Sequence, residues 1–565
     1  MGVAARTSTP SGMGVTVGVV GYPHDVSSEL AERTALRRRL LGRPRTAQEK
    51  LWGWLGPAIV TVIGGIMRFW QLGRPHQLIF DETYYVKQGW AMTLFGYEMK
   101  PTSAVDQAKS ADSLFTMGHA TQGVWGTEAD FVVHPPLGKW LIGGGERLFG
   151  IDSSFGWRFA VALVGTLAIY LVGRAAWHLF RSPVLATLAS LLLCFEGAEF
   201  VMSRTGILDV MVMFFALAAF VALLADRDRS RRILADKVAA MKAAGTWTGQ
   251  RAPWLGLRPW RWVAGVMIGL DCGVKWSGGY FLVVFGLMSV WWDLGARRAV
   301  GTRHWVGATF LKDALFAMVA MVPTAVVVYL ATWIGWFRST DAYDRTWASL
   351  NPADGKPGLS PTSSTFAWLP DSLRSLWQYH IQMYDAAVGI TSPHDYMSNP
   401  WSWMLQTRPT SFFYEGSNRG QAGCTVAQCS KAITSLGTPL IWWAGTIALA
   451  VLLFQWLLHR DWRAAAILGG IAAGWLPWFT YQQRTIFTFY SVAFSPYVVL
   501  GVVFVCGLVL GSRSASRARR RVGTIAVGVF TTAAVAMFIF FWPIYTAQLI
   551  PYSHWQWRMW FPSWI

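Results

Sequence analysis

Residues 68–90 read RFWQLGRPHQLIFDETYYVKQGW. The stretch begins where an apolar run ends, and just past that exit it sets two adjacent carboxylates, Asp81 and Glu82, ahead of a run of aromatics. A charge-rich turn beside a membrane face is a candidate site by default. Taken alone, the dipeptide is more simply two surface acids in a solvated loop. The rest of the chain decides between the two.

Apolar residues make up 53% of the 565 positions and charged residues 14%, with 34 tryptophans. That composition describes a polytopic membrane protein. The formal charge of +19 would suggest nucleic acid in a soluble chain. Here the basic residues sit in short loops between apolar runs, where topology and anionic headgroups account for them, and no nucleic-acid motif accompanies them. A spanning helix needs about 20 mostly apolar residues. Eleven stretches qualify: roughly 51–71, 156–177, 183–200, 205–225, 261–276, 278–294, 314–336, 438–458, 463–480, 491–511 and 523–543. The third and fifth are short and carry polar residues. The expected fold is therefore all-α and polytopic.

Residues 1–50 are polar and basic, and VTVGVV follows no basic region of the kind that opens a signal peptide. They read as a largely disordered cytoplasmic tail before a catalytic membrane domain at 51–565. With the N-terminus inside, Arg227, Arg229, Arg231, Arg232, Lys237, Lys242, Arg297, Arg298 and the 513–521 arginines all fall on the cytoplasmic side, as the positive-inside rule asks. Two large loops, 72–155 and 337–437, then lie outside. Cys424 and Cys429 share the second of them. Their spacing permits a small disulfide; a metal site would need a second pair.

This orientation gathers the unusual polar residues on one face. Arg68, Asp81, Glu82, His134, Lys139, Arg158, Glu196, Glu199, Arg204, Asp209, Lys275 and Arg484 all fall at outer span ends or in outer loops. A single arginine at a span end is usually an anchor. Six cations on the side where the rule predicts few, beside carboxylates, point to an anionic ligand at the outer membrane surface. Transfer from a lipid phosphate fits. Arg and Lys stabilise charge developing on a phosphate leaving group, and a hydroxyl acceptor needs a positioned base, which a carboxylate supplies. One carboxylate acting opposite the leaving group inverts the sugar carbon without a covalent enzyme intermediate, unlike a retaining two-carboxylate glycosidase.

The runs RFWQLGRPHQLIFDETYY, DFVVHPPLGKW, SRTGILDVMVMFF and GVKWSG, followed by YHIQMYDAAVGI, SNPWSWMLQTRPTSFFYEG, GTPLIWW and RMWFPSWI, closely resemble the protein O-mannosyltransferase family, in particular its bacterial branch. The resemblance runs from about residue 51 to the end. It implies a GT-C glycosyltransferase fold with about eleven spans, and transfer of mannose from a polyprenyl (dolichyl-type) phosphate donor to Ser or Thr of secreted proteins, at the extracytoplasmic face of the cell membrane. Matched motif by motif, it implies Asp81 as general base and Glu82 as the acid that positions the acceptor. Arg68 and Arg158, with Lys139 and Arg204, are expected on the donor phosphate; His134, Asp209, Lys275 and Arg484 are further candidates. No metal and no other cofactor is expected, because Asp81 and Glu82 alone make a thin cation site.

Loop 337–437 is too short for the β-trefoil domain of eukaryotic members, so short helices along the membrane surface are expected there. The polar insert at 100–130 reads as a flap. Trp368, Trp377, Trp401 and Trp403 read as an interfacial belt. Docking on a secretion translocon would suit an enzyme that meets unfolded acceptors. The competing readings are a GT-C transferase acting on a glycolipid or polysaccharide, and a transporter. A transporter would carry its charges near the midplane and repeat its halves; neither pattern is visible.

Overall fold

Thr46 opens the first long helix of the membrane domain. Its side chain accepts the Glu49 N–H while the Glu49 carboxylate accepts the Thr46 N–H, a reciprocal cap. A computed structural model describes residues 26–102, 107–118, 123–512 and 514–565. Its helices are α1 Val26–Leu41, α2 Ala47–Phe69, α3 Glu82–Phe95, α4 Gln107–Thr116, α5 Leu137–Phe149, α6 Ser154–Phe180, α7 Pro183–Cys194, α8 Gly197–Met202, α9 Asp209–Ala243, α10 Pro259–Val274 and α11 Gly278–Ala299. There follow α12 Trp305–Thr332, α13 Asp371–Gly389, α14 Pro439–His459, α15 Trp462–Trp475, α16 Thr488–Leu510 and α17 Arg517–Tyr545.

Each of the eleven apolar stretches coincides with a helix or a broken pair of helices. Eight are long and apolar enough to cross a bilayer: α2, α6, α9, α11, α12, α14, α16 and α17. The other three contain shorter helices, α7, α10 and α15, of 12, 16 and 14 residues. Helices α9 and α16 form the centre, with 78% of their apolar windows buried, whereas α17 buries 17% and turns most of its surface outward. In lipid an apolar outer face is the stable arrangement.

The tail corrects the expectation of disorder. Residues 1–25 lie outside the described part, but 26–41 form α1, which packs along α9. Leu36 and Leu40, one turn apart, are buried with Leu234, Ala235 and Val238. Arg33 and Arg37 both hold Asp236, at 2.8 and 2.7 Å. At 35 residues α9 is about 52 Å long, well beyond a hydrocarbon core of about 30 Å, and its charged second half carries α1. Below the apolar half, Arg258, Arg261 and Arg297 are buried against Asp226, Asp293 and Asp313, tying α9 to α12 together with matched charge.

On the opposite side, α3 crosses α5 backbone to backbone: a Cβ on Gly143 would lie 2.2 Å from the Gly89 carbonyl oxygen. Strands β1 (Met99–Pro101) and β2 (Trp125–Ala129) pair beside them; residues 103–106 and 119–122 of the anticipated flap lie outside the described part. Loop 337–437 holds α13, short helical turns, and a feature the sequence did not announce. Strands β3 (Thr410–Asn418) and β4 (Gln428–Ser435) form a hairpin, extended by β5 (Ile550–Pro551) in the order β3-β4-β5. A disulfide joins Cys424 to Cys429 at its tip. Trp368 and Trp401 are exposed, as belt residues should be, but Trp403 is fully buried with its indole N–H on Ser398 Oγ.

Candidate active site

The chain leaving α2 turns sharply at Phe80, whose φ of 48° is left-handed and unusual for a bulky side chain. Its ring packs on Phe412, Phe487 and Phe489. Asp81 follows, and Glu82 begins α3. The two neighbouring carboxylates have opposite surroundings.

Glu82 is fully buried. Arg158 grips both its oxygens at 2.7 and 2.8 Å, and the N–H groups of Ile79 and Gly206 donate to it at 3.0 and 2.7 Å. The remaining Arg158 donors reach the carbonyls of Leu72, Pro75 and Gln77. All five guanidinium N–H groups are spent. Both Glu82 oxygens and every Arg158 donor thus have partners within the protein, and the pair braces the loop that carries Asp81.

The other cations expected on the phosphate are also committed. Arg68 is fully buried against Glu199 and the Gly64 carbonyl. Arg204 donates to the carbonyls of Met67, Arg68, Trp70 and Gln71, closing the C-terminal end of α2, where helix carbonyls lack partners. Lys139 is buried on Glu98 and the His134 carbonyl. Sequence reading missed Glu98 and Glu199 as partners, because 41 and 131 residues separate them from their cations.

His134, Asp209, Lys275 and Arg484 line a cavity of about 360 Å³. Its polar end holds His134, Asp209, Lys275, Arg484, Tyr481 and Tyr490; its walls are apolar, with Phe281, Val283, Ala387, Val388, Pro477 and Trp478. Asp209, the first residue of α9, accepts from Lys275 Nζ at 2.8 Å. Lys275 stands at the end of α10, its ammonium 5.3 Å from the Tyr490 ring. Arg484 stands apart from the arginines above. Its Nε, like that of Arg68, is buried without a hydrogen-bond partner, but among the described residues its side chain has neither a carboxylate, as Arg68 has, nor carbonyls, as Arg204 has.

Asp81 stands within electrostatic reach of Lys275 and Asp209, and its side chain makes no helix-capping bond. Burial pushes its carboxyl up to about 6, against the opposing pull of Lys275. Burial, with Lys275, Lys139 and Arg484 nearby, holds His134 well below the usual imidazole range, so the ring is neutral. Tyr85 lies beside the polar end: its ring is 6.1 Å from His134, and it feels both Asp81 and Asp209. Its spacing of four residues from Asp81 was the available signal, since i and i+4 share a helix face. The arrangement sets a buried carboxylate without a capping bond near a cavity that holds a guanidinium no acid pairs with among the described residues.

The family profile described as "C-terminal four TMM region of protein-O-mannosyltransferase" matches residues 372–564, and "Dolichyl-phosphate-mannose-protein mannosyltransferase" matches residues 133–249. The chain is 35% identical to the polyprenol-phosphate-mannose--protein mannosyltransferase of Mycobacterium tuberculosis over 525 residues, covering 91% of this chain and 92% of that one. With the Mycolicibacterium smegmatis protein of the same name the identity is 34% over 527 residues, 91% and 94% covered. Among solved structures, the Saccharomyces cerevisiae Pmt1-Pmt2 complex bound to the sugar donor superposes with a TM-score of 0.65 at 16% identity, covering 95% of this chain and 94% of that one. That likeness establishes the shared GT-C fold.

Proposed function

The chain belongs to the protein O-mannosyltransferase family, and from that premise we propose how its cavity carries out the reaction. The protein transfers mannose from a polyprenyl phosphate donor to hydroxyl groups of proteins. The prenyl tail of the donor enters along the apolar wall between Phe281, Val283 and Val388. Its phosphate meets Arg484, a cation that pairs with no acid among the described residues. Asp81 takes the proton from the acceptor Ser or Thr hydroxyl as the oxygen attacks the mannose anomeric carbon. The bond from that carbon to the phosphate oxygen breaks, its electron pair leaves with polyprenyl phosphate, and attack from the opposite face inverts the centre. Lys275 tempers the charge on Asp81 while Asp209 holds Lys275 in place. Neutral His134 and Tyr85 supply hydrogen-bonding groups for the sugar.

The observation that carries this reading is an apolar cavity whose polar end holds Lys275 and an Arg484 that no acid pairs with among the described residues, with Asp81, which makes no capping bond, in electrostatic reach of that Lys275. A group kept ready for a substrate has no reason to be saturated by the protein; a phosphate in a partly desolvated site gains most from a guanidinium with free donors. We place the cavity on the extracytoplasmic side of the cell membrane, opposite the α1-bearing end of α9, where emerging secreted chains, and a translocon beside them, would meet it. The test uses purified protein in detergent, a Ser/Thr-bearing peptide and polyprenyl phosphate carrying labelled mannose. Label entering the peptide and released by alkaline β-elimination is the expected result. Label passing instead to a lipid or polysaccharide fraction would overturn the acceptor assignment.

A further inference from the structure

We propose that the free edge of β3 is the docking strand for the acceptor, which adds to it as an extended polypeptide; this rests on the reading that the acceptor is a protein. In the order β3-β4-β5, β3 is an outer strand. The Arg419 N–H donates to the Ala427 carbonyl. In an antiparallel ladder this phase makes the odd-numbered residues of β3 from Phe413 onward, past the bulge, the ones bonded to β4. Tyr414 and Gly416 therefore turn their N–H and C=O groups away from β4, and both residues are exposed. The opposite phase of β4 is already used: Pro551, which has no N–H, faces Cys429, and the Ala432 carbonyl accepts from Ala547.

Exposed edges invite pairing, and proteins usually blunt them with proline, lysine or a cover. Strand β3, TSFFYEGSN, has neither proline nor lysine. Its one charge, Glu415, pairs with Lys431 across the hairpin. The strand is also aimed at the site. The pairs Ser411↔Thr434 and Phe413↔Ile433 leave Phe412 with no residue opposite. Bulges of this kind turn a side chain out of the ladder and favour the surroundings of active sites. Here the Phe412 ring stacks on Phe80 at 4.8 Å between centroids, and Phe80 directly precedes Asp81. At about 3.3 Å per residue, Gly416 lies about 13 Å along the strand from Phe412, so a peptide paired at Tyr414 and Gly416 delivers a residue a few positions away to the base. The Cys424–Cys429 disulfide fixes the far end, with Cys429 opposite Ser417. Pairing through main-chain groups lets one enzyme accept many sequences, provided the segment is unfolded.

The experiment takes a peptide with a single acceptor residue and N-methylates one backbone amide at a time. Transfer of labelled mannose by the full-length protein is followed as peptide KM and kcat. The expected result is a period of two: KM rises about three- to tenfold at alternate positions on one side of the acceptor residue, the loss of one backbone hydrogen bond at each, with the positions between them little changed. Gly416→Pro deletes an outward N–H and spares every β3–β4 bond. It should raise peptide KM, leave donor KM alone, and erase the penalty of one of the sensitive methylations. A flat scan, or a penalty confined to the residues touching the acceptor side chain, with transfer intact, overturns the docking strand and leaves the proposed function standing. Failure of the wild-type protein to label any unmethylated peptide overturns the protein-acceptor reading, and the docking strand with it.

Discussion

The Glu82 layer and the Asp81 cavity use the same kinds of residue for opposite ends. In the layer, Arg68, Arg158, Arg204 and Lys139 face carboxylates or helix carbonyls, all but Arg204 are fully buried, and Arg158 has no donor left over. At the cavity, Arg484 pairs with no acid among the described residues, and Asp81, in electrostatic reach of Lys275, makes no capping bond. The contrast separates charge that holds a loop in place from charge that waits for a substrate. Being polar and near the site is not enough; a charge that opens onto a cavity without a pairing partner is the better sign.

The contrast can be broken from the layer side first. Arg158→Leu removes the partner of a fully buried carboxylate, an effect of about 3–5 kcal/mol on stability. The expected outcome is a large drop in melting temperature in detergent, with donor KM near wild type in whatever protein stays folded. A donor KM defect at normal stability would place Arg158 on the phosphate after all. From the cavity side, Arg484→Ala should lower transfer about 10²–10³-fold, the scale for losing one donor to developing charge, with the melting temperature unchanged. A pH profile sharpens the role of Asp81. Its carboxyl is raised to about 6 by burial, and only the ionised form accepts a proton. Transfer kcat/KM should therefore fall about tenfold per pH unit below 6 and level off above it. The smallest expected effect is that of EDTA. Asp209, the carboxylate nearest in charge to Asp81, is already paired with Lys275, so chelation should leave the rate unchanged; a loss restored by a divalent cation would add a metal to the site.

The apolar runs and the motif order made the helices and the family legible, because both are properties of neighbouring residues. Which cation is spent and which is free was not legible. The partners of Arg68 and Arg158 lie 131 and 76 residues away, and the carbonyls that saturate Arg158 and Arg204 belong to a turn whose path no periodicity announces. The hairpin was missed for a local reason. Its bulge puts Phe412 and Phe413 side by side, which breaks the alternation that marks a strand. Helix α1 was missed because RTALRRRLL belongs to a segment that reads as a polar, basic tail, although Leu36 and Leu40 stand at helical spacing.

The most direct measurement compares Asp81→Asn with Glu82→Gln, reading single-turnover mannose transfer and melting temperature on the same preparations. Asp81→Asn should melt like wild type and transfer about 10²–10⁴-fold more slowly, the range for losing a general base. Glu82→Gln should melt well below wild type and keep transfer in its folded fraction. An Asp81→Asn protein that transfers at the wild-type rate, or a Glu82→Gln protein that is fully stable and inactive, would contradict the division of labour between these two carboxylates.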